Sequence, residues 1–304
     1  MGQLPVIAVV GATAAGKSDL AVELALRLDG EVINTDSMQL YEGMDVGTAK
    51  LTMEERRGVP HHLLDIWPVT RTASVAEYQR LARPLIEDLR SRGRAPVLAG
   101  GSGLYVRAAI DDLEFPGTDP DVRARLEKEL AATGPAPLYE RLKGLDPVAA
   151  DNILPGNGRR IVRALEVIEL SGRPFSATMP SYDAVYDSVQ IGVEVPRPVL
   201  DERIERRVAL MWAAGLVDEV RALAAARGLA EGRTASRALG YAQVLRFLSG
   251  EWTEEQAREE TVRATRRFAR RQESWFRRDP RVVWLPFDAP DLADRAIAVI
   301  TGAS

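Results

Sequence analysis

Residues 5–10 form a short apolar run containing valine and isoleucine, and the chain then reads Gly11-Ala12-Thr13-Ala14-Ala15-Gly16-Lys17-Ser18. This satisfies G-x-x-x-x-G-K-[ST] in the context the pattern needs, after a strand and at the start of a helix expected over residues 17–28. Backbone N–H groups of such a loop and of the helix N-terminus wrap phosphate oxygens, Lys17 adds a point charge, and the Ser18 hydroxyl can hold Mg²⁺. The loop therefore demands a parallel α/β core that presents it at a strand end. It does not specify the phosphates: ATP, GTP and a bare diphosphate ester all fit, so nucleotide binding stays open.

The pattern downstream agrees with a parallel sheet. Residues 31–35 and Ala95–Ala99 read as further strands, with helical periodicity over 74–92 between them, and residues 188–195 and 282–285 are later strand candidates. Strands alternating with helices imply βαβ units, and the late strands make the core discontinuous. Residues 115–180 carry no convincing strand and are punctuated by Gly134-Pro135, Asp146-Pro147 and Leu154-Pro155-Gly156, which predicts a helical insertion. Residues 197–276 read as mostly helical, with breaks near 228–232 and at Gly250. The expected organisation is a P-loop α/β core from 1–114 and 181–304, with a helical insertion over 115–180.

In a parallel sheet the strand ends share one edge, where ligands of open α/β sheets bind. The second strand ends in Asp36-Ser37-Met38-Gln39 and the third in Gly100-Gly101-Ser102-Gly103. A carboxylate, Asp36, and a hydroxyl, Ser102, are thus expected beside the phosphate loop. With no cysteine in the chain, disulfides, thiolate metal sites and a cysteine nucleophile are excluded. The two histidines, His61 and His62, are adjacent, and sequence neighbours rarely converge on one ion.

Taken together, GATAAGKS, TDSMQLYEGMDVGTAK (35–50), PHHLLDI (60–66), GGSGLY (100–105), RRIVRALEVIELSGRP (159–174) and SRALGYAQ (236–243) resemble the ordered motifs of bacterial tRNA dimethylallyltransferases. The loop alone is shared with very many proteins; the DSMQ-x-Y-x-G-M-D-x-G-T-A-K stretch is far more specific. Ala12 stands where that family usually has proline, and Ser102 where threonine is common, so the hydroxyl is kept. The resemblance implies a kinase-like P-loop fold that transfers a dimethylallyl group from its diphosphate to the exocyclic amine of the adenosine beside the anticodon. It implies Mg²⁺ at Ser18 and a diphosphate contact at Arg237, with Gly11 to Ser18 as the phosphate cradle. It also implies tRNA contacts from Asp36, Ser37, Met38 and Gln39, from Ser102, from Arg123, and from Arg159, Arg160, Ile161, Val162 and Arg163. The histidines fall in PHHLLDI, which implies a structural or substrate-channel role.

The residue chemistry is consistent with that implication. An exocyclic adenine amine is a weak nucleophile, so it benefits from a carboxylate that takes its proton, the role expected of Asp36. The formal charge of −4 argues against a uniformly basic nucleic-acid binder, but residues 258–281 hold nine arginines against four acids, with Phe268, Trp275 and Phe276 interspersed. That stretch reads either as a phosphate-backbone footprint or as a solvated helix face paired with Glu259, Glu260 and Glu273. Three rivals remain on the residues alone: a small-molecule or nucleotide kinase, an adenylate dimethylallyltransferase, and a non-catalytic RNA-binding protein with a relic loop. No apolar run is long enough to span a membrane and no leader pattern opens the chain, which predicts a cytoplasmic protein, expected to be monomeric.

Overall fold

The structure, a computed structural model, describes residues 4–178 and 182–302. The chain divides into two compact units, one made of the residues up to Ile110 and from Ala184 onward, the other of Asp111–Asp183. The boundary expected at 180/181 lies outside the described residues.

In the larger unit the chain runs β1 (Val6–Val10), α1 (Lys17–Arg27), β2 (Gly30–Asn34), β3 (His61–His62), α2 (Val75–Ser91), β4 (Ala95–Ala99) and α3 (Gly103–Ile110). The helices of the smaller unit are α4 (Pro120–Thr133), α5 (Pro135–Leu145), α6 (Pro147–Asp151) and α7 (Gly158–Ser171). The larger unit resumes with β5 (Ser188–Glu194), α8 (Arg197–Ala213), α9 (Leu216–Arg227), α10 (Tyr241–Leu248), α11 (Glu254–Phe276), β6 (Val282–Pro286) and α12 (Leu292–Thr301).

All strand pairings are parallel, in the order β3-β2-β4-β1-β5-β6. Every residue of β1 and β2 is buried; β1 is wholly apolar, as a strand covered on both faces requires, whereas β2 also buries Glu31 and Asn34, each with hydrogen-bond partners. From β1 the chain first moves outward to β2, returns to β4 beside β1, and later passes to β5 on the other side of β1. The resulting switch point puts a crevice at the C-terminal ends of β1, β4 and β2. Ile7, Val9, Leu24, Val97, Ile191 and Ile204 are among the side chains that fill the core under it.

Two elements lack a detectable signal. β3 is two residues long, too short for any periodicity, and α3 starts on a glycine run that reads as a turn. The histidines of β3 are accounted for structurally: His61 Nδ1 lies 2.9 Å from the Val59 carbonyl oxygen, and His62 Nε2 lies 2.6 Å from Glu31 Oε2 on β2. Burial lowers the His61 pKa, which favours the neutral ring in that position.

The smaller unit has its own core, built from Leu126, Leu138, Leu142, Ile153, Ile161 and Leu165. Ile161 and Val162, expected among the tRNA contacts, have buried side chains there, because they fall on the apolar stripe of α7. Beside this core lies Glu166, fully buried, bonded to Arg123 and, at 2.9 Å, to Arg163. Arg163 also donates to the Pro116 and Gly117 carbonyls at 2.6 and 3.1 Å. Arg123 and Arg163 are thus structural partners of a buried carboxylate, whereas Arg159 and Arg160 are exposed.

Desolvation would raise the Glu166 pKa, but its two arginines outweigh it and the net shift is downward. A depressed carboxyl contributes stability that is present above its unfolded pKa and lost as pH falls through the folded one. The smaller unit should accordingly lose amide-exchange protection on acidification below the ordinary glutamate range. At neutral pH, replacing both Arg123 and Arg163 by alanine should cost about 3–5 kcal/mol, because it strands a buried charge. Glu166→Gln should cost clearly less, and equal costs in denaturant titrations would refute this account.

Candidate functional site

The loop from Gly11 to Ser18 leaves β1 with Gly11 and Ala12 buried and enters α1 through Gly16, whose φ of 96° lies in the left-handed region. Ala14 also has φ 64°, a conformation that costs a non-glycine residue on the order of 1 kcal/mol. The helix begins without a side-chain cap, and the N–H groups of Gly16, Lys17 and Ser18 find no acceptor among the described residues. Such uncapped donors, at the positive end of a helix, form an anion site.

Two adjoining cavities open at this crevice. One, of about 950 Å³, is lined by Ala14, Gly16, Lys17 and Ser18 together with Lys50, Arg203 and Arg206. The other, of about 300 Å³, is lined by Thr13, Asp36, Ser37, Met38, Ser102 and Arg237, with an apolar wall that includes Ile204, Val208 and Phe268. Arg207 and Met211 line both. The smaller cavity therefore gathers the carboxylate, the hydroxyl and Arg237, and the larger one gathers the phosphate donors.

Asp36 is held by an Asx turn. Asn34 Oδ1 accepts the Asp36 N–H at 2.8 Å, and Asp36 Oδ1 accepts the Met38 N–H at 2.9 Å. Asn34 in turn donates to the carbonyls of Asp36 and Leu63. Ser102 Oγ accepts the Ser37 N–H at 3.3 Å and lies 3.4 Å from Ser37 Oγ, so the ends of β2 and β4 are tied together. Gln39 lies apart from its motif neighbours. Its amide NH2 donates to the Thr48 carbonyl at 3.1 Å, which ties it to the 44–50 loop, and it borders a different, small cavity.

The electrostatics centre on Lys17, Arg207 and Asp36. Lys17 and Arg207 are half-buried and both line the larger cavity. Desolvation brings the Lys17 ammonium down to about 7, with the Arg207 guanidinium adding to the effect and Asp36 opposing it. Desolvation likewise lowers the Arg207 pKa, and Asp36 again opposes it. Lys17 Nζ meanwhile donates to the Ala12 carbonyl at 2.6 Å.

Three residues that organise the site were not apparent as site residues. Arg207 falls on the stripe of α8 that also carries Ile204 and Val208, and an arginine on an apolar stripe is the signal that marks it. Gln272 stands on the buried stripe of α11 with Ala269 and Phe276; its Oε1 accepts the Thr13 N–H at 2.9 Å and its Nε2 donates to the Gly101 carbonyl at 2.8 Å. Glu219, in the first turn of α9, accepts the Asp45, Val46 and Gly47 N–H groups at 3.0, 2.7 and 3.2 Å and also bonds the Tyr241 hydroxyl. It thereby fixes the loop whose Gly47 and Thr48 line the smaller cavity.

Among the described residues no three histidine, cysteine, aspartate or glutamate side chains gather as a metal site. Ser18 is exposed toward the larger cavity, so a Mg²⁺ ion would find one hydroxyl there and draw its other oxygens from a phosphorylated ligand and water. That is the usual coordination of Mg²⁺ at phosphates.

These features define a P-loop α/β protein whose phosphate cradle opens onto a second, carboxylate-bearing cavity. The family model described as IPP transferase matches residues 39–279, and the chain belongs to that family. It is 72% identical over 300 residues to a protein of Thermobifida fusca named tRNA dimethylallyltransferase, covering 97% of this chain and 94% of that one. A protein of the same name from Streptomyces avermitilis is 72% identical over 289 residues, covering 95% and 92%. Among solved structures, the full-length tRNA isopentenylpyrophosphate transferase of Bacillus halodurans is similar, with TM-score 0.72 and 42% identity over 98% of this chain and 95% of that one. A eukaryotic dimethylallyltransferase described as acting on tRNA gives TM-score 0.85 at 25% identity, covering 97% and 78%.

Among the described residues, Arg207 is the one cation that lines both cavities, and its charge acts on Lys17 and is opposed by Asp36. Arg207→Ala should lower kcat by about 100-fold or more, the usual loss when an enclosed charge stabiliser is removed. Affinity for the acceptor substrate, measured separately by equilibrium binding, should stay within a few-fold. A fall in affinity with kcat intact would assign Arg207 to binding alone.

Proposed function

We propose that this protein transfers a dimethylallyl group from dimethylallyl diphosphate to the N6 amine of the adenosine on the 3′ side of the anticodon in tRNA, releasing diphosphate. The observation that carries this is the pairing of the two cavities. A phosphate cradle adjoins a partly apolar cavity holding Asp36, Ser102 and Arg237, in a chain 72% identical to a protein named for this reaction.

In the reaction the bond from the allylic carbon to the diphosphate oxygen breaks, and a bond from that carbon to N6 forms. The amine proton passes to the Asp36 carboxylate, which the Asx turn presents to the cavity. The N–H groups at the start of α1, Lys17 and Arg207 stabilise the charge that collects on the departing diphosphate, and Arg237 contacts it from the other cavity. Mg²⁺ at Ser18 would add charge neutralisation on the leaving group. Ser102 acts at the reacting centre, held by Ser37. Met38 and Ser37 border the space for the extracted base, because an enzyme that modifies a base must bring it out of the stack.

The anticodon arm is bound by the smaller unit through the exposed Arg159 and Arg160, with Arg123, Ile161, Val162 and Arg163 supporting that helix. Separated backbone contacts of this kind suit recognition of an RNA stem-loop by shape. No helix among the described residues is long and apolar enough to cross a membrane. We place the protein in the cytoplasm with its tRNA, acting as a monomer.

Incubation with an unmodified anticodon stem-loop, dimethylallyl diphosphate and Mg²⁺ should yield dimethylallyladenosine by nucleoside mass analysis; no adduct on adenosine would sink the reading. Asp36→Ala should reduce turnover by about 100- to 10,000-fold while leaving stem-loop affinity within a few-fold. Replacing Arg159 and Arg160 by alanine should weaken stem-loop binding and reduce the slope of log affinity against log salt by roughly one per arginine. An unchanged slope would remove α7 from the interface.

A further inference from the structure

A P-loop that transfers phosphoryl groups must offer hydrogen-bond donors to the oxygens of the group it transfers. Thr13 is the loop residue that lines the carboxylate cavity, whereas Ala14, Gly16, Lys17 and Ser18 line the phosphate cavity. Thr13 is therefore the loop residue on the side where the transferred group must sit, and its backbone N–H is the donor the loop has at that position. That donor is not free: Gln272 Oε1 accepts it at 2.9 Å. The amide orientation is fixed at both ends, since the Gln272 Nε2 donates to the Gly101 carbonyl at 2.8 Å and only one assignment satisfies a backbone donor and a backbone acceptor together. Gln272 is 5% exposed, so water does not compete for these bonds.

We propose that Gln272 closes the phosphate loop at Thr13, restricting it to a diphosphate that carries an uncharged group and excluding a chain of three phosphates. The proposal rests on the reading of the loop as a diphosphate cradle. A third phosphate placed at Thr13 would find the backbone N–H it needs already engaged by the Gln272 amide, with the Asp36 carboxylate lining the same cavity. A dimethylallyl carbon needs no donor and is not repelled by that carboxylate. The backbone of the loop that follows β4 is shaped for this contact. A Cβ on Gly101 would come within 2.1 Å of Gln272 Nε2, so the close approach that brings the amide to Thr13 requires glycine there. Gln272 is a specificity residue on this account, with its selectivity set by the acceptor oxygen rather than by the bulk of the side chain.

The test is isothermal titration of the full chain, in Mg²⁺, with inorganic diphosphate and inorganic triphosphate, reading the ratio of the two affinities. Gln272→Ala and Gln272→Met free the Thr13 N–H, and each should shift the ratio toward triphosphate by about tenfold, the scale of one hydrogen bond gained. Gly101→Ala should produce the same shift by pushing the amide aside, which keeps the test independent of any one variant's folding. Gln272→Glu retains an acceptor for Thr13 while losing the bond to Gly101, so it should keep or strengthen the exclusion of triphosphate. If all variants, including glutamate, lose affinity for both ligands in equal proportion, Gln272 is only a structural tie and the proposal fails while the diphosphate reading stands. If the wild-type protein binds triphosphate but not diphosphate, or binds neither, both fail.

Discussion

Enclosed positive charge next to an uncapped helix is costly in the empty protein, and the surroundings of the phosphate loop are arranged to bear it. Desolvation disfavours the charged forms of both Lys17 and Arg207, the Arg207 guanidinium adds to the effect on Lys17, and Asp36 opposes both shifts. A loop in that state cannot rely on ligand to hold its shape. It is held instead by side chains that satisfy backbone groups: Gln272 on Thr13 and Gly101, Asn34 on Asp36 and Leu63, and Glu219 on three consecutive N–H groups of the 45–47 turn. Each of these reaches a loop across a long sequence separation or spans two loops. The sheet provides the platform and these clamps set the geometry on it, so an incoming anion meets donors already in place.

This division explains which parts of the molecule can be read from sequence. The strands of the core and the helical insertion are announced by period and punctuation, because burial on two faces and an amphipathic stripe both leave local patterns. Asp36 and Ser102 follow from topology, since a parallel sheet brings its strand ends to one edge; the hydrogen bond between Ser37 and Ser102 is its direct expression. The clamps are different. Gln272 lies 259 positions from Thr13; its place on the stripe with Ala269 and Phe276 marks it as buried, but nothing local says which loop it reaches. The same limit hides the surroundings of Gln39, whose motif neighbours line the cavity while its own amide donates to the Thr48 carbonyl. For Ile161 and Val162, a family motif marks the whole segment, whereas helix geometry divides it into an outward arginine face and an inward core face.

The basic stretch of α11 shows why counts of charge are weak guides. Its arginines read either as an RNA footprint or as a solvated, ion-paired helix face, and Arg263 and Arg267 pair with Glu260, Arg266 with Glu205, and Arg277 with both Glu194 and Glu273. Much of the positive charge is therefore neutralised within the chain, as i,i+3 and i,i+4 geometry and nearby acids dictate. Arg271 is an instructive exception: its guanidinium lies 5.7 Å from the centre of the Phe268 ring, and both residues line the carboxylate cavity. One face of α11 is thus a wall of the site, joined to the phosphate loop through Gln272, and the helix belongs to the reaction as much as to any surface.

A kinase-like sheet can carry alkyl transfer because the two chemistries ask for the same leaving-group site and differ only beyond it. Both need donors and cations around a departing phosphate, which the start of α1, Lys17 and Arg207 supply. Phosphoryl transfer also needs donors on the migrating group, whereas an allylic carbon gains by sitting against apolar atoms and negative oxygens as it acquires cationic character. In this protein the boundary falls between Ala14 and Thr13. On one side the loop faces the open, cation-rich cavity; on the other, Asp36 presents oxygen atoms, and Ile204, Val208 and Phe268 present carbon. At that boundary the Gln272 side chain, from a distant helix, engages one backbone N–H inside a loop whose sequence pattern is shared with nucleotide-binding proteins.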